Sequence, residues 1–378
     1  MTLESPGLLF TIVAFFLMIG PLVFVHELGH YLVGRWFGVD ADSFSIGFGR
    51  EILGWTDKRG TRWKVGWLQL GGYVKFAGDI NPASQPSEEW LRLPPEQRAR
   101  TFQAKPVWQR FLIVLAGPMI NFLLAVVIFM VILASYGEWR TPPVVTGIME
   151  ESVAARAGFE IGDRVVAVDG ESISSFEEMR ERIFIRPETP MRFDVLRDGR
   201  ALAIDAAPAA HVERDPFGNE MRIGLLGVEA EGTELMPVAP LALPGKAIGQ
   251  TVRTVEMIVV TLGQIITGRR SVEELGGPLR IAEISGQQAS LGVLAFALFM
   301  AAVSINLGFI NLLPIPMLDG GHLVFYAVEA ARRKPLSRET QEWAFRMGLA
   351  VLLGFMLMVT VIDLGSFGLW ERLSGLIG

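Results

Sequence analysis

The sequence predicts a polytopic α-helical membrane protein: about four transmembrane helices, a membrane-associated β-hairpin region and an inserted α+β domain. Three observations carry that prediction. Hydrophobic residues make up 51% of the 378, which points to several membrane spans rather than an ordinary soluble chain. Four apolar runs, nearly free of charge, are long enough to cross a bilayer. Between the second and third lies a long stretch where strand-like and turn-like patterns alternate.

The first run extends from Leu8 to about Leu32 and is uncharged as far as Val25. Leu8 to Val25 alone covers about 27 Å at the helical rise. It lacks a basic flank and a small-x-small cleavage site, so it is expected to be a retained span rather than a signal peptide. WTDKRGTRWKVGWLQLGGYVKFAGD follows, Trp55 to Asp79. DKRG reads as a turn, and Trp63, Val65 and Trp67 alternate with Arg62, Lys64 and Gly66, which predicts a hairpin with interfacial aromatics. The second run is Phe111 to Leu133, the third Leu291 to Leu313 and the fourth Met347 to Leu364. Val252 to Ile266 is interrupted by Arg253, Glu256 and Gln264, and predicts an amphipathic surface helix.

Within the insert, VVTGI predicts a strand, and SVAARAGF a short helix closed by Gly158. DRVVAVDG predicts a strand ending in an Asp-Gly turn. SFEEMRERI starts on a Ser175 cap, and MRFDVLRDGRALAIDAAP turns at Asp198-Gly199. The expected organisation is an N-terminal membrane core (1–141), the insert (142–230), amphipathic linker helices (231–290) and a C-terminal membrane core (291–378).

Loop charge sets an expected orientation. Lys and Arg crowd the segment between the first two runs, from Arg35 to Lys105. They also crowd the short loop holding Arg332, Arg333, Lys334 and Arg338. Both loops are then cytoplasmic, with the termini and the insert on the other side. A net charge of −6 argues against a nucleic-acid partner. The absence of cysteine excludes disulfides and thiolate metal ligands, so a zinc ion would need His, Asp or Glu.

The first run ends in VFVHELGHYLVG, Val23 to Gly34. H-E-x-x-H on a helix puts His26 and His30 on one face, where together they can bind one Zn²⁺. Glu27 beside them can take a proton from the water that zinc activates. The plain alternative is a histidine pair capping a span. Charged groups at the end of a span are costly and usually functional, which favours the metal. A third ligand is needed. NLLPIPMLDGGHLVF offers Asp319, with His322 as a rival, behind the helix breakers Pro314 and Pro316. Such breaks at membrane depth are tolerated where they line a site. By the topology above, the His pair and Asp319 fall on the same, cytoplasmic side. The hairpin beside them could pair its edge with an unwound substrate, or simply lie on the membrane. Three readings compete at this stage: a hydrolase, a catalytically silent metal-binding scaffold that presents its inserted domain, and a metal transporter, for which the second and fourth runs offer almost no polar ligands. A carboxylate between two ligands serves only the first.

HELGH on the first run, AGPMIN (Ala116 to Asn121) on the second and NLLPIPMLDGGH after the third together resemble the site-2 protease family of intramembrane zinc metalloproteases. Within it the chain is similar to the bacterial sigma-E-regulating type. SVAARAGFEIGDRVVAVDG resembles that type's PDZ pattern, and GGYVKFAGD its membrane-associated β-region. The resemblance implies a multi-pass protein of a bacterial inner membrane with its insert and termini in the periplasm and its active site near the cytoplasmic side. It implies His26, His30 and Asp319 as zinc ligands, Glu27 as catalytic base, and Asn311, with Asn306 as a second candidate, as contacts to substrate backbone. The implied partners are lipid and single-pass membrane proteins already trimmed by another protease, such as anti-sigma factors, or signal-peptide remnants. One GF-x-x-GD stretch is present where the best-studied type has two PDZ domains. The segment Glu229 to Gly277 is expected to be too helical for a second. The insert is expected to act as a steric gate, or else to capture peptide.

Overall fold

The computed structural model describes residues 7–78, 93–214, 220–267, 276–334 and 336–366. Asp79, the end of the expected hairpin stretch, lies outside them. The chain forms two compact units, Met1–Val131 with Pro244–Gly378, and Ile132–Leu243; each is described by itself.

Among the described residues of the first unit, four helices are long and apolar enough to cross a membrane. These are α1 (Leu8–Trp36), α3 (Val107–Ser135), α8 (Val293–Leu312) and α10 (Arg338–Ser366). Helix α10 starts well before the apolar run at Met347, because Arg338, Glu339, Glu342 and Arg346 continue the helix outside the oily stretch. A four-residue helix, α2 (Pro95–Arg98), lies in the loop before α3. The amphipathic segment becomes α6 (Leu243–Ile266), longer than its apolar stretch suggested. The next helix, α7 (Pro278–Leu291), packs on α1: Ser285 Oγ lies 3.6 Å from Met18 Sδ, and a methyl on Gly286 would strike Thr11. Buried Asp363 of α10 accepts the Gly277 and Arg280 backbone N–H groups at 3.1 and 3.2 Å. It thereby caps α7, where the helix dipole favours a negative charge.

Two strands, β1 (Ala41–Thr56) and β2 (Arg62–Phe76), form the hairpin. It begins earlier than the aromatic alternation indicated and folds back on itself. Phe44 is registered against both Val74 and Trp63, and Trp55 against Trp63. The stretch 43–46 therefore sits between two segments of β2, leaving 72–76 at an edge. Asp57 builds the turn by accepting from the backbone N–H of Arg59 and Thr61 and from Trp63 Nε1. Stacked Phe44 and Trp63 pack against Phe24 and Tyr31 of α1, which docks the sheet on the helix that carries the His pair. Ile52, Leu53, Trp55 and Trp67 are exposed, as suits a sheet at a membrane interface.

In the second unit the chain enters through β3 (Glu138–Arg140) and leaves through β12 (Glu234–Met236), which pair antiparallel. Between them lie β4 (Gly147–Ile148), α4 (Val153–Ala157), β5 (Arg164–Val168), β6 (Glu171–Ser172), α5 (Phe176–Phe184), β7 (Met191–Arg197), β8 (Arg200–Ala206), β9 (Ala209–Arg214), β10 (Glu220–Leu225) and β11 (Val228–Glu229). The main sheet has the order β6-β5-β7-β8. The strands and helices follow the order that the sequence signals predict. The sequence signals account for it locally. Ser152 and Ser175 cap α4 and α5 through the Ala155 and Glu178 N–H groups, and Gly158 closes α4 at φ 88°. Asp169-Gly170 and Asp198-Gly199 turn with both residues at positive φ, as two-residue hairpins require. Phe159, Val165, Met179 and Phe193 fill the core.

Asp163, fully buried, joins this core to its rim by a two-point ion pair with Arg197 at 2.7 and 2.8 Å. Burial opposes its charge. The Arg197 guanidinium and the Glu160 N–H outweigh burial and hold the carboxyl below the ordinary carboxylate range. A group with a lowered pKa stabilises the fold above its unfolded value, near pH 4, and the stabilisation is lost as pH falls through its folded value. Asp163→Asn is therefore expected to raise the protease sensitivity of the insert in the full-length protein at neutral pH. It should also flatten the acid-dependent rise expected of wild type below about pH 4. Equal sensitivity of variant and wild type at neutral pH would refute this.

Candidate metal centre

On α1, residues four apart share a face, and His26, Glu27 and His30 are 8%, 8% and 9% exposed. The helix remains unbroken through them to Trp36, where Gly38 turns the chain at φ 70°. Asp319 comes from the far end of the sequence. After α8 the chain breaks at Pro314 and Pro316 and restarts as α9 (Asp319–Arg332). Gly320 and Gly321 permit this. A methyl on Gly320 would lie 2.2 Å from the Leu313 carbonyl oxygen, and one on Gly321 would lie 2.5 Å from that of Ile315. The loop thus folds tightly onto the first turn of α9. An ion pair of Arg110 with Glu329 at 2.7 Å, and the same guanidinium over the Tyr326 ring, tie α9 to α3.

The result places Asp319 Oδ2 3.2 Å from His26 Nε2 and 3.4 Å from His30 Nε2. Ligand atoms of all three residues lie within 4.8 Å of one another. His322, the rival third ligand, is packed against Phe325, Tyr326 and Phe345 and does not join this group.

Helix α3 supplies the surroundings through residues spaced by four: Ile113, Gly117 and Asn121. His30 Nδ1 lies 2.9 Å from the Ile113 carbonyl oxygen. A carbonyl only accepts, so Nδ1 carries a hydrogen, and in the neutral ring Nε2 is left with the lone pair that a metal can take. Asn121 Nδ2 lies 3.1 Å from His26 Nδ1. Gly29 lets the two helices meet, since a methyl there would lie 2.5 Å from the Ala116 carbonyl oxygen. A methyl on Gly117 would lie 2.2 Å from His30 Nε2, and the ring is held in place by its bond to Ile113. Gly117→Ala is therefore expected to displace His30 and to weaken zinc binding by on the order of 10–100-fold, as loss of ligand support does elsewhere. Chelator competition checks this, and unchanged affinity would refute it.

The donor set fits zinc. Asp319 Oδ2 is buried within reach of both Nε2 atoms, so with neutral rings two lone pairs and a carboxylate oxygen converge on one point, the donor set that a zinc ion takes. Tetrahedral zinc with bonds of about 2.0–2.1 Å sets its ligand atoms about 3.3 Å apart, close to the two distances above.

A cavity of about 230 Å³ opens on the group, lined by His26, Glu27, His30, Asn311, Asp319 and the β2 edge at Gly72, Tyr73 and Val74. Val74 brings its backbone to the Glu27 carboxylate at this edge. Gly72 lets the strand pass, since a methyl there would come within 2.9 Å of Glu27 Cγ. Asn311 borders the cavity with Nδ2 turned to the Leu307 carbonyl. Asn306 is half-buried on α8 and is not among the lining residues.

A profile of peptidase family M50 matches residues 14–355. The chain belongs to that family. Relatives from Agrobacterium fabrum (44% identical, covering 97% of this chain and 96% of the relative) and Rhizobium meliloti (42%, covering 100% of each) carry "zinc metalloprotease" in their names. Metalloprotease MmpA of Caulobacter vibrioides is 37% identical over 98% of this chain and 99% of its own. Among solved structures, the PDZ domain of an SdrC-like protein from Listeria innocua matches 25% of this chain and 99% of its own, at 16% identity and a TM-score of 0.20. This M50 chain is accordingly a multi-pass zinc metalloprotease of the site-2 type. Sequence reasoning gave no role to Ile113, Gly117 or Asn121, although the last two lie in the AGPMIN stretch that carries part of the resemblance. Asn121 is also the one polar side chain between Phe111 and Leu133; a lone polar group in a span is functional by default.

Proposed function

We propose that this peptidase cuts transmembrane segments of single-pass membrane proteins, with His26, His30 and Asp319 as the zinc ligands and Glu27 as the catalytic base. The observation that carries this is the shared cavity: three convergent donors, a carboxylate and an open strand edge, at the end of a membrane-spanning helix. When bound, zinc acidifies water and polarises a peptide carbonyl. Glu27, which lines the same cavity beside the β2 edge, takes a proton from the attacking water and passes it to the departing amine. A helix in lipid has no backbone groups to spare, so it must unwind to be cut, and its freed groups need partners. The edge at 72–76 offers them by strand addition, and Asn311 faces the same cavity. The charge of the loops supports an inner-membrane orientation with the site towards the cytoplasm and the insert in the periplasm. Substrates already trimmed by another protease, anti-sigma factors or signal-peptide remnants, suit an insert that gates by size.

The test is cleavage of a membrane-spanning peptide by the purified protein in nanodiscs. Scission within the apolar segment, abolished by a zinc chelator, is expected. Scission of water-soluble peptides alone would overturn the proposal. Deleting residues 143–228 addresses the insert. If untrimmed substrates become cleavable, the insert is a gate; if trimmed ones stop being cut, it captures them.

A further inference from the structure

Asn121 is fully buried in the middle of α3, and its amide meets the ring of His26 rather than the cavity. His26 Nε2 faces Asp319 at 3.2 Å. If Nε2 is to give its lone pair to a metal, the ring hydrogen must sit on Nδ1. Nδ1 then needs an acceptor, and the neighbouring group is the Asn121 amide at 3.1 Å. An amide presents a donor at one end and an acceptor at the other in nearly the same shape. In the orientation of the structure Nδ2 faces the ring and Oδ1 finds no donor among the described residues; turning the amide over brings Oδ1 to Nδ1. The ligand geometry calls for that turn. His30, bonded to the Ile113 carbonyl, has its hydrogen on Nδ1 beyond ambiguity, and one α3 face serves both rings.

We propose that Asn121 is a positioning residue: its Oδ1 accepts the Nδ1 hydrogen of His26, fixing the ring's tautomer and its aim at the metal. Helix α3 thereby supplies both outer partners of the histidine pair, a backbone carbonyl at 113 and a side-chain carbonyl at 121, two turns apart. Ser304 Oγ of α8 donates to the Asn121 backbone carbonyl at 2.8 Å, so the residue is anchored to the helix that leads to Asp319.

The inference rests on His26 being a ligand, and the two are separable. His26→Ala with unchanged zinc affinity would sink the ligand assignment itself. With that established, the full-length protein is compared with Asn121→Asp and Asn121→Leu by chelator competition for zinc and by the visible spectrum of the cobalt-substituted form. Aspartate accepts and cannot donate when ionised. It is expected to hold zinc within about threefold of wild type or more tightly, with a wild-type-like cobalt spectrum. Leucine is expected to weaken zinc about 10–100-fold. Aspartate as weak as leucine, or leucine as tight as wild type, would overturn the proposal. Should leucine prevent folding, Asn121→Ala takes its place under the same criteria. Nitrogen NMR of the wild type, which has four histidines, supplies a check that needs no variant. His26 is expected to carry its hydrogen on Nδ1, and a hydrogen on Nε2 would overturn the assignment.

Discussion

Glu27→Gln is expected to keep one zinc per chain and to lose about 10²–10⁴-fold in cleavage of a membrane-embedded peptide, the range general acid–base catalysis supplies. The amide keeps the size of the carboxylate but cannot take a proton at neutral pH. It leaves His26, His30 and Asp319 untouched, since Glu27 is not one of the three converging groups. Elemental analysis and a cleavage assay on the same preparation decide the matter. A variant that cuts at the wild-type rate would remove Glu27 from the chemistry. A variant that loses its zinc would make Glu27 a ligand rather than a base.

The second large effect concerns the third ligand. Asp319→Asn is expected to weaken zinc by more than about 100-fold, beyond what loss of an outer partner costs, while His322→Ala stays within a few-fold of wild type. Asparagine is well tolerated at a helix start, so α9 should survive the change and the loss can be read as one of ligation. The contrast follows from position. Asp319 lies 3.2 and 3.4 Å from the two rings, whereas His322 sits one turn along α9 among aromatic side chains. Competition with a chromogenic chelator measures both variants. The reverse ranking would transfer the ligand role to His322.

The ease with which these parts could be read from sequence follows the range of the forces that place them. The four spans and the His-Glu-His face are local: uncharged length gives the first, and a spacing of four gives the second. Turns such as Asp169-Gly170 and caps such as Ser175 are local too. Asp319 carried a local break, in its prolines and glycines, but its distance to the histidines is a tertiary fact that only the family resemblance and the topology foreshadowed. The fold-back of β1, with Phe44 between Val74 and Trp63, depends on long-range register, which an alternating pattern does not specify. Gly117 and the Ile113 carbonyl are harder still. One acts by having no side chain and the other through its backbone, so residue type names neither role, although Gly117 falls inside the AGPMIN stretch.

The pairing of β3 with β12 has a consequence for the history and the engineering of this chain. Entry to and exit from the insert are hydrogen-bonded neighbours, Glu138 opposite Met236 and Arg140 opposite Glu234. Paired residues in such a ribbon lie only about 4.5–5.5 Å apart. Whatever is strung between them, the membrane-spanning chain sees the same two adjacent ends. A short turn could close that gap, and the entropic cost of a longer loop grows only slowly with its length. The ribbon is thus a socket: cassettes of different size and specificity can be exchanged at it without re-tuning the helices that hold the metal.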